Sequence, residues 1–479
     1  MTNPDQSLDL HTLPGPRPAP LLGWKPQLLR FLRDPLKTVR ELHRDYGDIA
    51  VLSREAPTMV CLFGAHNHRQ VLTDTKLFVN YTKPLFKTSP DSPLLRLTMS
   101  LPSLNGEAHR RRRRLMMPAF SKARVESYRD QMVDVTERFL ARWPVTQEVN
   151  VAGQMTELTM CIALQCLFGL DVSGEAANLG RIGMQFLEGL TSLGIMLLPF
   201  EVPGLPYRRF MKLCLQLEGE IAALIRERRA SREEGNDLLS ILIRTHDEDG
   251  SALTDAELIA ESTGLFIAGH ETTANTLSWT LFLLSQHPTI LANLVEELTS
   301  TLQGAAPTVE QLARLPLLDA VVKESMRLLP AAPLLFLRST TEAAKLGTCT
   351  LPPETTVILS PFVSHHDPEI FPEPRRFQPE RWSTQRPSPY EYLPFGAGPR
   401  ACIGGTFAAL ELRVVLSMLV QRYRFTLTPG AIVSPQVRSI LMGPKHGLSM
   451  RITRENRQDR RFGSPGRVQG TIHELVDLP

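Results

Sequence analysis

Cysteine is scarce in this chain: six in 479 residues, spread along the whole length, with no C-x-x-C pair. That excludes a disulfide-stapled secreted scaffold and points to a reducing compartment. A surplus of one charge is lacking too. Lys plus Arg is 53 against 50 for Asp plus Glu, a formal +3, too little to mark a nucleic-acid binder. No long apolar run is free of charge. The most apolar stretch, Leu258 to Leu284, carries Glu261, His270, Glu271 and Asn275 in its middle, where charge is expensive in lipid. It reads as a buried core helix and not as a membrane span. Met1 to Asp9 is polar and acidic, without the basic and apolar regions of a signal peptide. A soluble, cytoplasmic chain is expected. No internal repeat is visible, and 42% apolar with 22% charged residues describes an ordinary globular protein with a large core.

Along the chain, a polar tail (1–12) precedes Leu13-Pro14-Gly15-Pro16-Arg17-Pro18-Ala19-Pro20, a stiff extended lead-in, because each proline fixes its own φ and restrains its predecessor. Two strand-like runs, Asp48 to Leu52 and Thr58 to Phe63, flank Pro57 and predict a hairpin. Helical periodicity dominates from about Val125 to Val322. The clearest helix starts at Thr254 with Glu257 three residues on, a capping box, and stops at His287 before Pro288. A further helix is expected from Pro316 to Leu329, a strand at Thr355 to Leu359, and a last long helix from Gly405 to Tyr423. Pro361 to Pro399 holds nine prolines and predicts a long ordered meander, a stretch of the kind that usually serves function. Residues 453–479, arginine-rich and then Gly/Pro-rich, read as a mobile extension.

Chemistry concentrates in Phe395-Gly396-Ala397-Gly398-Pro399-Arg400-Ala401-Cys402-Ile403-Gly404-Gly405. One cysteine sits in a glycine-rich loop just before a helix, where glycines allow close backbone approach and helix N–H groups favour a thiolate. Such a thiolate suits a metal or nucleophilic work; the plain alternative is an inert buried thiol. In mid-helix, Ala268-Gly269-His270-Glu271-Thr272-Thr273 puts an acid and an alcohol among apolar neighbours. Either Thr272 bonds back to a carbonyl while Glu271 faces solvent, or the two form a positioned acid–base pair, reached through a local opening of the helix at Gly269. His109 is followed by five arginines, Arg110 to Arg114, which read as a solvated basic face or a nucleic-acid patch.

The loop pattern F-G-x-G-x-R-x-C-x-G resembles the haem-binding signature of the cytochromes P-450, the haem-thiolate monooxygenases. Glu324-Ser325-Met326-Arg327 resembles the family's E-x-x-R, Pro379-Glu380-Arg381-Trp382 its P-E-R-F with Trp in the last place, and Ala268 to Thr273 its A-G-x-[DE]-T-T. The resemblance covers about Leu13 to Arg451. It implies one haem-binding domain (13–452), mainly α with small β-sheets, rather than the three domains that length alone would suggest. It implies haem b held by Cys402 as proximal ligand, with Phe395, Gly396, Gly404 and Ala268 around it and His109, Arg113, Arg338 and Arg400 toward the propionates. Thr272 and Glu271 become the proton-delivery pair. A buried Glu324–Arg327–Arg381 network is expected to pin the meander, and the His365-His366 pair is expected to be structural rather than a metal site.

The implied reaction inserts one atom of O2 into a hydrophobic small molecule. With no Gly-rich dinucleotide fingerprint and no room for a reductase, electrons from NAD(P)H must come through a separate ferredoxin or flavodoxin with its reductase. Arg110, Arg111 and Arg114 are expected to fan outwards, where they could receive that acidic donor. A monomer of the soluble bacterial type is expected. Alternatives on the same fold are a peroxide-using peroxygenase, an isomerase, or a non-catalytic haem carrier or sensor. The expected substrate lining is Phe86, Leu94, Leu97 and Met99; Phe186, Leu190, Leu193, Met196 and Leu197; Leu265, Phe266 and Ala268; and Ala332, Leu334, Leu335 and Phe336. Gly194 and Pro199 would bracket an entrance flap.

Overall fold

The alternation of short strands near the N-terminus with long apolar-faced helices sorts the chain into a small sheet beside a large helical body. A computed structural model describes residues 13–54, 59–82, 89, 91–143, 145, 147–171, 175–190, 192–231, 235–347, 349–454 and 466–479. The sheet is built from β1 (Ile49–Val51), β2 (Met59–Leu62), β3 (Phe78–Asn80), β4 (Arg338–Thr340) and β5 (Thr356–Leu359), in the order β1-β2-β5-β4-β3. β1 and β2 are antiparallel, with Ile49 opposite Leu62, as the hairpin reading expects; the turn at Pro57 lies outside the described residues. The β2–β5 pair alone is parallel. The lead-in docks beside β1, where Val51 N donates to Pro14 O at 2.9 Å.

The helical body is organised by α1 (Gly106–Met116), α2 (Val151–Phe168), α3 (Glu175–Leu190), α4 (Pro206–Ala230), α5 (Asp255–Gln286), α6 (Pro316–Leu328) and α7 (Gly405–Arg422). α5 begins at the predicted capping box, with Thr254 and Glu257 bonded reciprocally. Its 32 residues span roughly 48 Å at 1.5 Å per residue, so it crosses the body. Leu258, Leu277, Trp279 and Leu281 to Leu284 are buried along it, each worth about 1.5–3 kcal/mol of burial. α2 packs along α5, with α6 and α7 against its other flanks. α2 is also long and apolar enough to cross a membrane, but it lies mostly inside the core. A hairpin of β6 (Pro435–Arg438) and β7 (Leu441–Pro444) closes over the C-terminal half of α5, where Trp279 Nε1 donates to Met442 O at 3.2 Å.

Two expectations need correction. α5 is helical without interruption through Gly269. The hydroxyls of Thr272, Thr273 and Thr276 each donate to the carbonyl four residues back, at 2.8, 3.2 and 2.9 Å, which the turn accommodates without opening. The C-terminal extension is also not free over its last part. Residues 466–479 pack onto the body, with Val433 N donating to Gln469 O at 2.8 Å and Arg40 Nη1 to Glu474 O at 3.0 Å. Ile472, Leu475 and Val476 are buried; their spacing makes a small apolar face that the polar average of the tail conceals.

Candidate haem-thiolate site

The meander is held from beneath by one buried carboxylate. Arg327, three residues after Glu324 on α6, reaches it through Nε at 3.0 Å and Nη2 at 2.8 Å. Arg381 Nε donates to Glu324 Oε1 and Trp382 Nε1 to Oε2, each at 3.0 Å. Arg327 Nη1 continues to the carbonyls of His365 and Pro374, both at 2.7 Å. Glu324 and Arg327 are fully buried, which is tolerable because every charge has a partner. The histidines beside the network are also structural in their bonding. Leu393 N donates to His365 Nε2 at 2.9 Å, and His366 Nδ1 lies 2.9 Å from Phe362 O.

That scaffold delivers the Cys402 loop. Cys402 N donates to Phe395 O at 2.8 Å, closing the loop, and Gly396 and Gly398 have φ of +65° and +72°. A Cβ on Gly398 would lie 2.5 Å from Leu72 O, so glycine is required there by conformation and by space. Among six free cysteines, Cys402 alone is exposed. Although one side of the sulfur is accessible, the loop packed around the rest of it strips away water and pushes its thiol up, while the Gly404 N–H and the Arg113 charge pull it down.

Four basic side chains gather beside this loop. Arg113 Nη1 donates to Ala401 O at 2.9 Å, stitching α1 to the Cys loop. Arg400 Nη2 donates to Leu104 O at 2.9 Å and Asn105 Oδ1 at 2.6 Å. Arg338, paired with Asn80 across the β3–β4 ladder, donates to the Asn80 side chain. No carboxylate among the described residues pairs with Arg113, Arg338 or Arg400. Arg338 Nε and Arg400 Nε and Nη1 are buried without a partner among the described residues. Burial lowers Arg113; burial and Arg400 lower Arg338 to about 10; burial and Arg113 lower Arg400. Burial first, then Arg400, Arg113, Arg338 and Arg110, brings His109 down to about 4.

α5 is buried toward both ends, yet Ala268 is exposed at mid-helix and Gly269 and Thr272 keep accessible surface, so this turn lines an internal cleft. Such a donor set fits a haem. It combines an accessible thiol, buried and half-buried guanidinium donors without carboxylate partners among the described residues that suit two propionates, and a small-residue turn that admits a flat ring. Burial raises Glu271, and Arg438 pulls it down.

Of the predicted site residues, His109, Arg113, Arg338, Arg400 and Cys402 are brought together, and Phe395, Gly396 and Gly404 build the loop. Arg111 departs from expectation. It does not face outwards but donates to Glu257 Oε1 at 3.1 Å and Ala252 O at 2.8 Å, because the N-terminus of α5 places Glu257 beside α1. Arg110 and Arg114 do face outwards, held by Glu107 and Asp247. Of the expected substrate lining, Leu94, Leu97, Phe186, Phe266 and Leu334 are buried, whereas Met99, Leu197 and Phe336 are exposed. Leu190, Leu265, Ala332 and Leu335 are half-buried; Phe86 and the side chains of Leu193 and Met196 lie outside the described residues. Leu198 and Phe200, around the expected flap, are exposed.

Sequence reasoning missed several residues. Arg112, read only as one of five arginines, donates to Glu261 Oε1 and to Glu257 Oε1, both at 2.8 Å. Leu101 N also donates to Glu261, so the loop before α1 is tied to α5. Asn80 and Asn105 bridge the guanidinium cluster. Glu411 of α7 is buried and accepts no hydrogen bond among the described residues; the Thr273 hydroxyl faces it. The mid-helical acid amid apolar neighbours was the available signal for Glu261 and Glu411.

Fold and site together define a haem-thiolate protein, and comparison with known proteins agrees. The family model of the cytochromes P-450 matches residues 13–449. Cyclooctat-9-en-7-ol 5-monooxygenase of Streptomyces melanosporofaciens is 33% identical over 439 residues, 89% of this chain and 92% of that protein. Pentalenene oxygenase of Streptomyces avermitilis is 32% identical over 355 residues, covering 72% of this chain and 78% of that one. The solved structure of retinoic acid bound cyanobacterial CYP120A1 superposes with a TM-score of 0.78 at 26% identity, over 92% of this chain and 99% of that one. The chain belongs to the cytochrome P-450 family. It is a monooxygenase with a haem cofactor, acting on a hydrophobic substrate with O2 and a redox partner.

Proposed function

We propose that this chain binds haem b through Cys402 and oxygenates a terpenoid-class substrate as a cytoplasmic monomer. A ferredoxin or flavodoxin with its reductase supplies the electrons. The observation that carries this reading is the meeting of one accessible thiol with three guanidinium groups, Arg338 buried and Arg113 and Arg400 half-buried, that have no carboxylate partner among the described residues. When bound, the haem supplies the dioxygen-reducing iron. Cys402 holds it, Arg113, Arg338, Arg400 and His109 bind its propionates, and Gly404 N–H tempers the charge on the sulfur. Thr272 and Glu271, one residue apart in the turn at Ala268, hold and pass protons toward the cleft. The apolar side chains around α3 and α5 exclude water and reward a lipophilic ligand at about 25 cal/mol per Å2 buried. The two relatives named for cyclooctat-9-en-7-ol and pentalenene, terpenoid-class compounds, support the substrate class.

The test is the reduced carbon monoxide spectrum. Wild type should give the red-shifted Soret band of thiolate ligation, and Cys402→Ala should lose it. A band that survives the substitution would mean that another residue holds the iron. Spectral titration should then show tight binding of terpenoid alcohols or hydrocarbons; binding confined to small polar compounds would refute the substrate class.

A further inference from the structure

Glu271 is the acid of the proposed proton pair, and it stands half-buried on α5 with no hydrogen-bond partner among the described residues. The β6–β7 hairpin is laid against the same part of the helix. One turn on from Glu271, Asn275 meets the hairpin so closely that a Cβ on Gly443 would lie 2.5 Å from Asn275 Oδ1. Another turn on, Trp279 Nε1 bonds Met442 O. The ladder pairs Gly443 with Gln436 and Leu441 with Arg438, putting Arg438 at the tip. Arg438 Nε donates to Gln436 Oε1 at 3.2 Å, and the guanidinium makes no ion pair among the described residues.

Other titratable groups near this turn look elsewhere. His270 points to α3, with Nδ1 2.6 Å from Phe266 O and Nε2 3.2 Å from Met184 Sδ of that helix. Glu411 of α7 faces Thr273, and Cys166 of α2 lies near Glu411. Among the described residues, Arg438 is the charge that acts on Glu271.

We propose that Arg438 is the positioning residue of Glu271: from the hairpin tip its guanidinium draws the ionised carboxylate to the hairpin edge of α5, poised to relay protons toward Thr272. This rests on the reading of Glu271 as a relay. Because the pair is partly exposed, its strength is modest and salt-sensitive. It also makes the hairpin, a C-terminal element, part of the proton route.

The test is infrared titration of the haem-loaded protein, following the protonated-carboxyl band that Glu271→Gln removes. In Arg438→Gln that band should persist to a pH higher by about half a unit to one unit, Arg438→Lys should restore the wild-type midpoint, and high salt should move wild type toward Arg438→Gln. Identical midpoints in wild type and Arg438→Gln overturn the pairing. The relay reading fails separately: if the band moves but Glu271→Gln leaves the pH profile of product formed per NAD(P)H unchanged, the pair exists and Glu271 does not deliver protons.

Discussion

The indole Nε1 of Trp382 donates to Glu324 Oε2 at 3.0 Å, so the residue standing where the family motif ends in Phe adds a donor to the buried carboxylate. Arg327 and Arg381 supply charge to that carboxylate, and Trp382 completes its hydrogen bonding. Trp382→Phe keeps an aromatic ring in place but removes the N–H. The expected loss is about 1–3 kcal/mol, the range for a hydrogen bond to a buried charged acceptor. Glu324→Gln should cost more, about 3–5 kcal/mol, because it strands two guanidiniums. Chemical denaturation followed at the Soret band measures both. A Trp382→Phe protein as stable as wild type would show that the motif's Phe serves here equally well.

What could be read in advance follows from how local each signal is. The glycine turn of the Cys402 loop, the Thr254–Glu257 cap and the α6 pair are contiguous motifs whose geometry is dictated within a few residues, and each has the local geometry its motif implies. The fates of Arg111 and Arg112 are set by Glu257 and Glu261, some 145 residues away in sequence, and no local pattern encodes that encounter. Arg338 was legible only through its family spacing, since its role beside Asn80 depends on the β3–β4 pairing. The packed tail was hidden for a different reason. Three apolar residues, Ile472, Leu475 and Val476, anchor a segment whose mean composition is polar.

Thr272 donates to Ala268 O at 2.8 Å, so its hydroxyl is oriented by the helix backbone at the exposed turn of α5. Thr272→Ala removes that oriented hydroxyl without disturbing the apolar face of the helix. Haem content and substrate-induced spectral shifts should stay near wild type. The product formed per NAD(P)H should drop about ten-fold or more, with the missing electrons found as hydrogen peroxide, since a positioned proton donor contributes on the order of a hundred-fold or more. Glu271→Gln should instead slow turnover. Unchanged coupling in Thr272→Ala would remove the hydroxyl from the proton route.

Arg110 and Arg111 are sequence neighbours with different duties. Arg110 pairs with Glu107 on the surface, while Arg111 helps Arg112 neutralise Glu257 at the head of α5. Arg110→Glu should leave stability within about 0.5 kcal/mol of wild type. Its effect should be on electron transfer, as a raised KM for an acidic donor that varies with salt. Arg111→Glu should lower stability by about 1–3 kcal/mol, because it sets a third carboxylate beside Glu257 and Glu261. Thermal melts and donor titrations separate the two. Equal stability of both variants would show that Arg111 is not structural.

Glu411 lies inside the protein without a hydrogen-bond partner among the described residues, and burial holds its carboxyl well above the ordinary value of 4.5. Burial therefore favours the protonated form in the folded protein over the unfolded chain. The folded state binds the extra proton, so the contribution of this group is fully present below about pH 4.5 and declines as pH rises toward its folded-state titration. The slope is about 1.4 kcal/mol per pH unit for one proton. Glu411→Gln keeps the shape and removes the titration. The variant should match wild type near pH 4.5 and become progressively more stable than it as the pH rises above that value. Urea unfolding at several pH values measures the gap. Parallel stability curves would mean that Glu411 is ionised in the folded protein, with a partner that stabilises its charge.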